Sequence, residues 1–332
     1  MSLVDWGMLK SFVGWGKLKR FRAVPLMGVT MESVHLDVPS TLRDRRFLAL
    51  LAIALLVTYA LPFPIINDVL QDYSRLKGVM ERMAKENDAI VCHRVLSTNP
   101  DFFSSHGMRC DEEYYRPNES TVTAGDLIVY EDTYREYLRA REALKRELPA
   151  LVLLVIFAFL AMLGFGYAMI DFAVGVSTGD EKGVKDTLLS GLRAVPTLAV
   201  SEFLVFAVLL LVLALLAIPI VFLGLLGTIL VGLVVSPALV MVLPAYYFTR
   251  NLWAVGEIWR VLKNNTGGYF ALGIALVVVD ELMALQYNLD LGIWMLPLMV
   301  MLGAVRYPLI SLGALKVYLD AGGEEEEDNK EE

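Results

Sequence analysis

The fold class this sequence predicts is an all-α, polytopic membrane protein. It should have about six transmembrane helices and a helical-hairpin ectodomain between spans one and two. Three observations carry that expectation. The 332-residue chain is 56% hydrophobic, with a mean hydropathy of +0.56, and its apolar residues are gathered in blocks of roughly 18 or more, the length that crosses a bilayer as a helix. Short loops rich in Lys and Arg alternate with short loops that have none. The one long polar loop, residues 67–148, repeats apolar residues at helical spacing on both flanks.

The elements follow in order. Residues 1–45 are read as a cytoplasmic basic segment in which Leu3, Trp6, Leu9 and Val13 could share a helical face beside Lys10, Lys17, Lys19, Arg20 and Arg22, with a loosely ordered basic arm as the alternative because Gly7, Gly14 and Gly16 weaken a helix. An amphipathic, Trp-bearing, basic helix next to an anchor suits the lipid headgroup layer. No cleavable signal peptide is visible in it, so the first span is expected to act as an uncleaved anchor. That span is "RFLALLAIALLVTYALPFPII", residues 46–66. The second, "PALVLLVIFAFLAMLGFGYAMI", places Pro149 at a favourable first helical position. Residues 196–248 are too long for one helix and should break near "AIPIVFLG", giving spans at 196–217 and 222–245. Residues 269–287 and 291–315 complete a five-helix membrane domain over 149–319, with kinks expected at Pro237 and Pro297. The stretch 320–332, ending in "EEEEDNKEE", is read as a disordered acidic tail.

Orientation rests on the short loops. Loops 171–195 and 246–268 carry Lys182, Lys185, Arg193, Arg250, Arg260 and Lys263, while the turns near 218–221 and 288–290 carry no Lys or Arg. The positive-inside rule then predicts a multi-pass protein of the cell membrane with both termini cytoplasmic and loop 67–148 outside.

That loop holds both cysteines, in the order Cys92, His93, His106, Cys110. On the outer side a disulfide persists. A zinc site from Cys92, Cys110, His93 and His106 is the weaker alternative, because adjacent residues seldom converge on one ion, and free thiols are the third. Asn118 heads the sequon "NES" on the same side, whereas "NNT" at Asn264 falls inside and should be silent. The flanks, Val69–Tyr73–Leu76–Met80–Met83 and Leu127–Tyr130–Tyr134–Tyr137–Leu144–Leu148, suit two helices pairing antiparallel. "TVTAGDLIVY", residues 121–130, keeps a short strand open as an alternative.

Four charges fall at membrane depth: Glu202, Asp280, Glu281 and Arg306. Such residues pair or mark ion paths. Glu202 and Arg306 are expected at similar depth, as an internal pair. Asp280 and Glu281 are read either as a proton or cation site or as the polar end of a helix that stops early. Gly224, Thr228, Gly232 and Ser236 recur every fourth residue, the spacing at which small residues let helices approach. Gly267, Ala271 and Ala275 repeat it. "RNLWAVGEIWRVLKNNTGG" reads as a second interfacial helix, with Leu252, Val255, Ile258 and Leu262 on one face, and residues 177–196 as a third.

Two of these stretches, "GVKDTLLSGLRAVPTLAVSEFLVFAVLLL" and "PAYYFTRNLWAVGEIWRVLKNNTGGYFALGIAL", resemble a loose group of prokaryotic polytopic membrane proteins related to the membrane domain fused to glycerophosphodiester phosphodiesterases. The resemblance covers about residues 165–315 and rests on hydropathy and glycine placement. It implies a helical membrane domain and, with no phosphodiesterase region present, no activity.

The net charge of −8 has the wrong sign for nucleic acid. P-loop, G-x-S-x-G, H-E-x-x-H and Rossmann patterns are absent. The expectation is an integral membrane assembly or interaction protein without catalysis or cofactor. Its partners would be membrane lipids and a protein bound through residues 67–148; its oligomeric state is unassigned. The alternative is a small-solute or lipid transporter using the intramembrane carboxylates.

Overall fold

The computed structural model describes residues 31, 34–107, 109–180, 182–215, 225–288 and 294–328. Six helices are long and apolar enough to cross a membrane: Arg45–Thr98, Glu131–Thr178, Val184–Ala214, Val231–Thr249, Thr266–Gln286 and Met295–Gly322. The basic segment 1–24 and Gly224 lie outside the described residues, as does the side chain of Thr228.

The chain divides into two compact units. One comprises Met1–Leu55, Leu160–Leu285 and Met299–Glu332; the other comprises Leu56–Phe159 and Gln286–Leu298.

In the first unit, α1 (Val38–Arg43) is capped by Asp37, whose side chain accepts from the Ser40 N–H. α2 (Arg45–Leu55) buries Phe47, Leu50 and Ala54, and the Phe47 ring meets Phe172 at 6.1 Å. A π-helical turn, Leu56–Ala60, follows it, at the start of the second unit. Its cause is local: Pro62 and Pro64 bring no N–H, so the i→i−4 ladder fails there and the turn widens.

Helix α5 (Glu131–Thr178) runs through Pro149 rather than starting at it. The lost hydrogen bond falls beside the charged run Lys145–Glu147, where water can take the freed carbonyl. α6 (Val184–Leu215) likewise absorbs residues 184–196 of the stretch expected to form a separate third interfacial helix, and contains Pro196. α7 (Leu225–Val240) runs through Pro237. The interruption comes at Met241, before α8 (Val242–Thr249), because Pro244 has no N–H for the Val240 carbonyl and its ring pushes that carbonyl aside.

α9 (Val255–Asn264) is a short amphipathic helix. Ile258 is buried as expected, but so is Val261, while Leu252, expected on the same face, lies before the helix and is 41% exposed. α10 (Thr266–Asn288) and α11 (Met295–Pro308) follow. Pro297 falls in the first turn of α11, where helical N–H groups have no partner anyway, so it interrupts nothing. A π turn, Leu309–Gly313, joins α11 to α12 (Ala314–Asp328). α12 carries helix into the acidic run read as disordered; glutamate is a good helix former and the preceding turns template it.

Small residues do bring helices together, at partly different positions. A Cβ on Gly273 of α10 would stand 2.7 Å from the Leu233 carbonyl oxygen of α7, and one on Gly232 would stand 2.9 Å from Val277. Gly267 faces open space, so Gly273 takes the place in the contact that the sequence assigns to Gly267.

In the second unit, α3 (Phe63–Thr98) leads to α4 (Pro100–His106), which Gly107 caps with φ 61°. Strands β1 (Thr121–Ala124) and β2 (Leu127–Tyr130) form an antiparallel hairpin with Thr121 opposite Tyr130. Gly125, φ 63°, supplies the positive φ that this two-residue turn requires. The short-strand alternative is therefore realised, and Leu127 and Tyr130 sit on a strand, not on a helical stripe.

The core of this unit is Val79, Met83 and Val129, with Val122, Leu127, Tyr134 and Tyr137 packed against them. Tyr73 and Met80, expected on the packed face of α3, are 56% and 53% exposed. Spacing of three and four fits two neighbouring faces of one helix, and the hairpin selects the face carrying Val79, Met83 and Glu86. Glu86 lies against Thr133 and Arg82 against Glu136, so α3 and the start of α5 run antiparallel.

Candidate functional site

Cys92, near the end of α3, is bonded to Cys110. With both sulfurs committed to each other no thiolate is left for zinc, and no metal-holding group occurs among the described residues. His93 instead stacks on Tyr115, with ring centroids 3.7 Å apart. Ser105 Oγ stands 3.0 Å from His106 Nδ1. The bridge ties the top of α3 to the segment that delivers Arg116.

Arg116 is the hub of the unit. Its guanidinium donates to Glu86 Oε1 at 3.0 Å and to Asp132 Oδ2 at 2.8 Å, and pairs with Glu119 at 2.6 Å. It also lies 4.2 Å over the Tyr130 ring. The Asp132 hydrogen bond, then the charges of Glu86 and Glu119, hold it above the ordinary arginine value. Glu86 is 2% exposed. Its Oε1 also accepts from Thr133 Oγ1 at 2.8 Å, and its Oε2 accepts from the Tyr130 N–H at 3.4 Å. The next residue, Asn87, accepts from the Ile128 N–H at 2.9 Å. A buried carboxylate is tolerated because every bond it needs is supplied.

One face of α3 remains uncovered within this unit. Tyr73, Met80, Val91 and Val95 are each 40% or more exposed. Their spacing places them on one stripe, roughly 120° around the helix from Glu86 at about 100° per residue.

In the other unit the sequence-predicted charges separate. Arg306 Nε donates to Asp280 Oδ1 at 2.8 Å, so the expected Glu202–Arg306 pair does not form. Nor does α10 stop early: it continues to Asn288, beyond Asp280 and the exposed Glu281. Glu202 is 6% exposed, and its Oε2 has no partner among the described residues. Its neighbour Ser201 donates to the Leu252 carbonyl at 2.8 Å. Ser236, on α7, is half-buried.

A polar cluster that the sequence reading missed gathers at the end of α5. Asp171, buried, accepts from Lys182 Nζ at 2.8 Å and from Tyr247 O–H at 3.1 Å, while its Oδ2 has no partner among the described residues. Arg250, the left-handed cap of α8, donates to the Tyr167 hydroxyl and lies 5.4–5.6 Å from the rings of Tyr167, Tyr246 and Tyr247. Nearby, Glu257 accepts from Tyr318 O–H and pairs with Arg260, each at 2.9 Å. Asn264 and Asn265 donate to the Ala321 and Val317 carbonyls. These bonds fasten α9 to α12. The available signal was a carboxylate at the end of an apolar block, "YAMIDF", with "YY" just before Arg250.

No nucleophile paired with a positioned base appears in these clusters. They clamp elements together. Comparison of the chain with family models, with curated proteins and with solved structures finds no match.

Proposed function

We propose that this is a membrane-embedded interaction protein. Loop 67–148 stands outside the cytoplasm as a small, mostly helical ectodomain that binds a protein partner, and both termini are cytoplasmic. The observation that carries this reading is the uncovered stripe Tyr73–Met80–Val91–Val95 on α3. It lies on a helix whose other faces are already held by a core, a disulfide and the Arg116 hub. A rigid support behind an exposed apolar stripe is the construction of a helix-mediated docking surface. In this reading the chain catalyses nothing. Residues 165–315 keep their proposed likeness to the membrane domain fused to glycerophosphodiester phosphodiesterases as a matter of fold alone.

The test is gentle extraction from native membranes, followed by mass spectrometry of what co-purifies. A stoichiometric protein should be recovered with the wild type and lost from Met80→Glu and Val91→Glu, whose loops stay protease-resistant. Recovery of no partner, or full retention by both variants, sinks the reading.

A second reading, transport of a small solute or lipid, is favoured by one observation: the buried Glu202 carboxyl on α6, whose Oε2 has no partner among the described residues. It requires that Glu202→Gln abolish flux in proteoliposomes.

A further inference from the structure

The chain carries two acceptor sequons, and the fold treats them differently. Asn264 is held in the α9–α12 contact: its Nδ2, the atom a glycan would join, donates to the Ala321 carbonyl at 3.3 Å. Asn118 lies on an exposed turn just before β1, where the Glu119 N–H reaches the Arg116 carbonyl. Its side chain is engaged by no hydrogen bond among the described residues. Beside it opens a polar cleft of ≈ 540 Å³, lined among others by Glu131, Asp132, Arg135 and Arg139. Ser120, the third sequon residue, donates to Glu131 Oε2 at 3.0 Å across this exposed surface, a bond that water replaces at little cost.

We propose that Asn118 is an N-glycosylation site, its first sugars lying along this cleft. The inference rests on the reading that loop 67–148 lies outside the cytoplasm. The donor is an oligosaccharide linked to a lipid pyrophosphate. The Asn118 Nδ2 forms a bond to the anomeric carbon as the carbon–oxygen bond to the pyrophosphate breaks. The lipid pyrophosphate leaves with the bonding pair, and the amide gives up one proton.

The placement leaves the docking stripe clear. Arg116, two residues before Asn118, is bonded to Glu86, which is roughly 120° around α3 from Met80. The glycan would cover the polar side of the unit and leave Tyr73, Met80, Val91 and Val95 open.

The experiment is translation of the full chain into glycosylation-competent microsomes, read as an endoglycosidase-sensitive mobility shift. The wild type should show one glycan. Asn118→Gln and Ser120→Ala should each remove it, and Asn264→Gln should keep it. A control chain places a new sequon in the hairpin turn, by Asp126→Asn with Ile128→Thr, on the Asn118→Gln background. If the control is modified and the wild type is not, the Asn118 proposal is overturned while the topology stands. If neither is modified, loop 67–148 is not outside and both readings fall. A glycan lost only in Asn264→Gln overturns the orientation itself.

Discussion

Glu86 and Arg116, thirty residues apart in the chain, meet at 3.0 Å, with the Glu86 side chain only 3% exposed and the Arg116 side chain 33% exposed. Removing the exposed partner leaves the buried one charged and unpaired. Arg116→Ala should therefore destabilise the unit by about 3 kcal/mol, the low end for a broken buried pair because Arg116 still touches water. The double variant Glu86→Gln with Arg116→Met, which removes both charges but keeps an acceptor for the Tyr130 N–H and Thr133 Oγ1, should recover part of that loss. Limited proteolysis of the detergent-solubilised protein, scored by cleavage within 67–148, checks both. Equal sensitivity of the single and double variants would show that the network is not what holds the loop.

The Cys92–Cys110 bridge closes a loop with a sequence separation of 18. Bridging a segment of that size contributes about 3 kcal/mol in the chain-entropy model. Maleimide should label neither cysteine in the native membrane until a reductant is added. Cys92→Ser with Cys110→Ser should lower the urea midpoint for exposing residues 93–109. Labelling without reductant would contradict the bond.

Asp280 and Arg306 form a clasp between α10 and α11. Interhelical polar contacts in membranes contribute about 0.6–1.7 kcal/mol. Asp280→Asn and Arg306→Gln should each lower thermal stability in detergent by that order. The charge-swapped pair, Asp280→Arg with Arg306→Asp, should restore part of it. Additive losses in the swap would mean that the two side chains do not act together.

Gly273 offers a steric test. Any side chain there meets the Leu233 backbone at 2.7 Å, so Gly273→Val should cost about 1–3 kcal/mol by forcing α7 and α10 apart. Gly256 of α9 has nothing within 4 Å. Gly256→Ala should be neutral or stabilise by about 0.5–1 kcal/mol. Fluorescence-detected size exclusion after a heating series separates the two, and similar curves would remove the close contact from the account.

What could be read from the residues alone follows from the range of the forces involved. Spans declare themselves because crossing a bilayer needs only a run of apolar residues, visible locally. The cysteine pairing was legible for the same reason, since two cysteines in one loop have one intramolecular choice. The helical face that α3 buries was not, because Tyr73–Met80, seven apart, and Val79–Met83, four apart, both fit a helical repeat and only the distant hairpin chooses between them. Arg306 found Asp280 rather than Glu202 because partner choice depends on which helices are neighbours, and hydropathy carries no such information. The Asp171–Tyr247 bond spans 76 residues and leaves no periodic trace.

A two-stranded hairpin ordinarily has an open edge on each side, and an open edge invites a foreign strand. Here the outward N–H groups of β2 at Ile128 and Tyr130 are met by Asn87 and Glu86. Two consecutive side chains on a helix thus stand in for a third strand, matching the two-residue repeat along β2. Sliding the hairpin by one residue would misalign both acceptors at once and turn Val129 out of the core. The helix keeps the strand in register and at the same time denies that edge to any other chain.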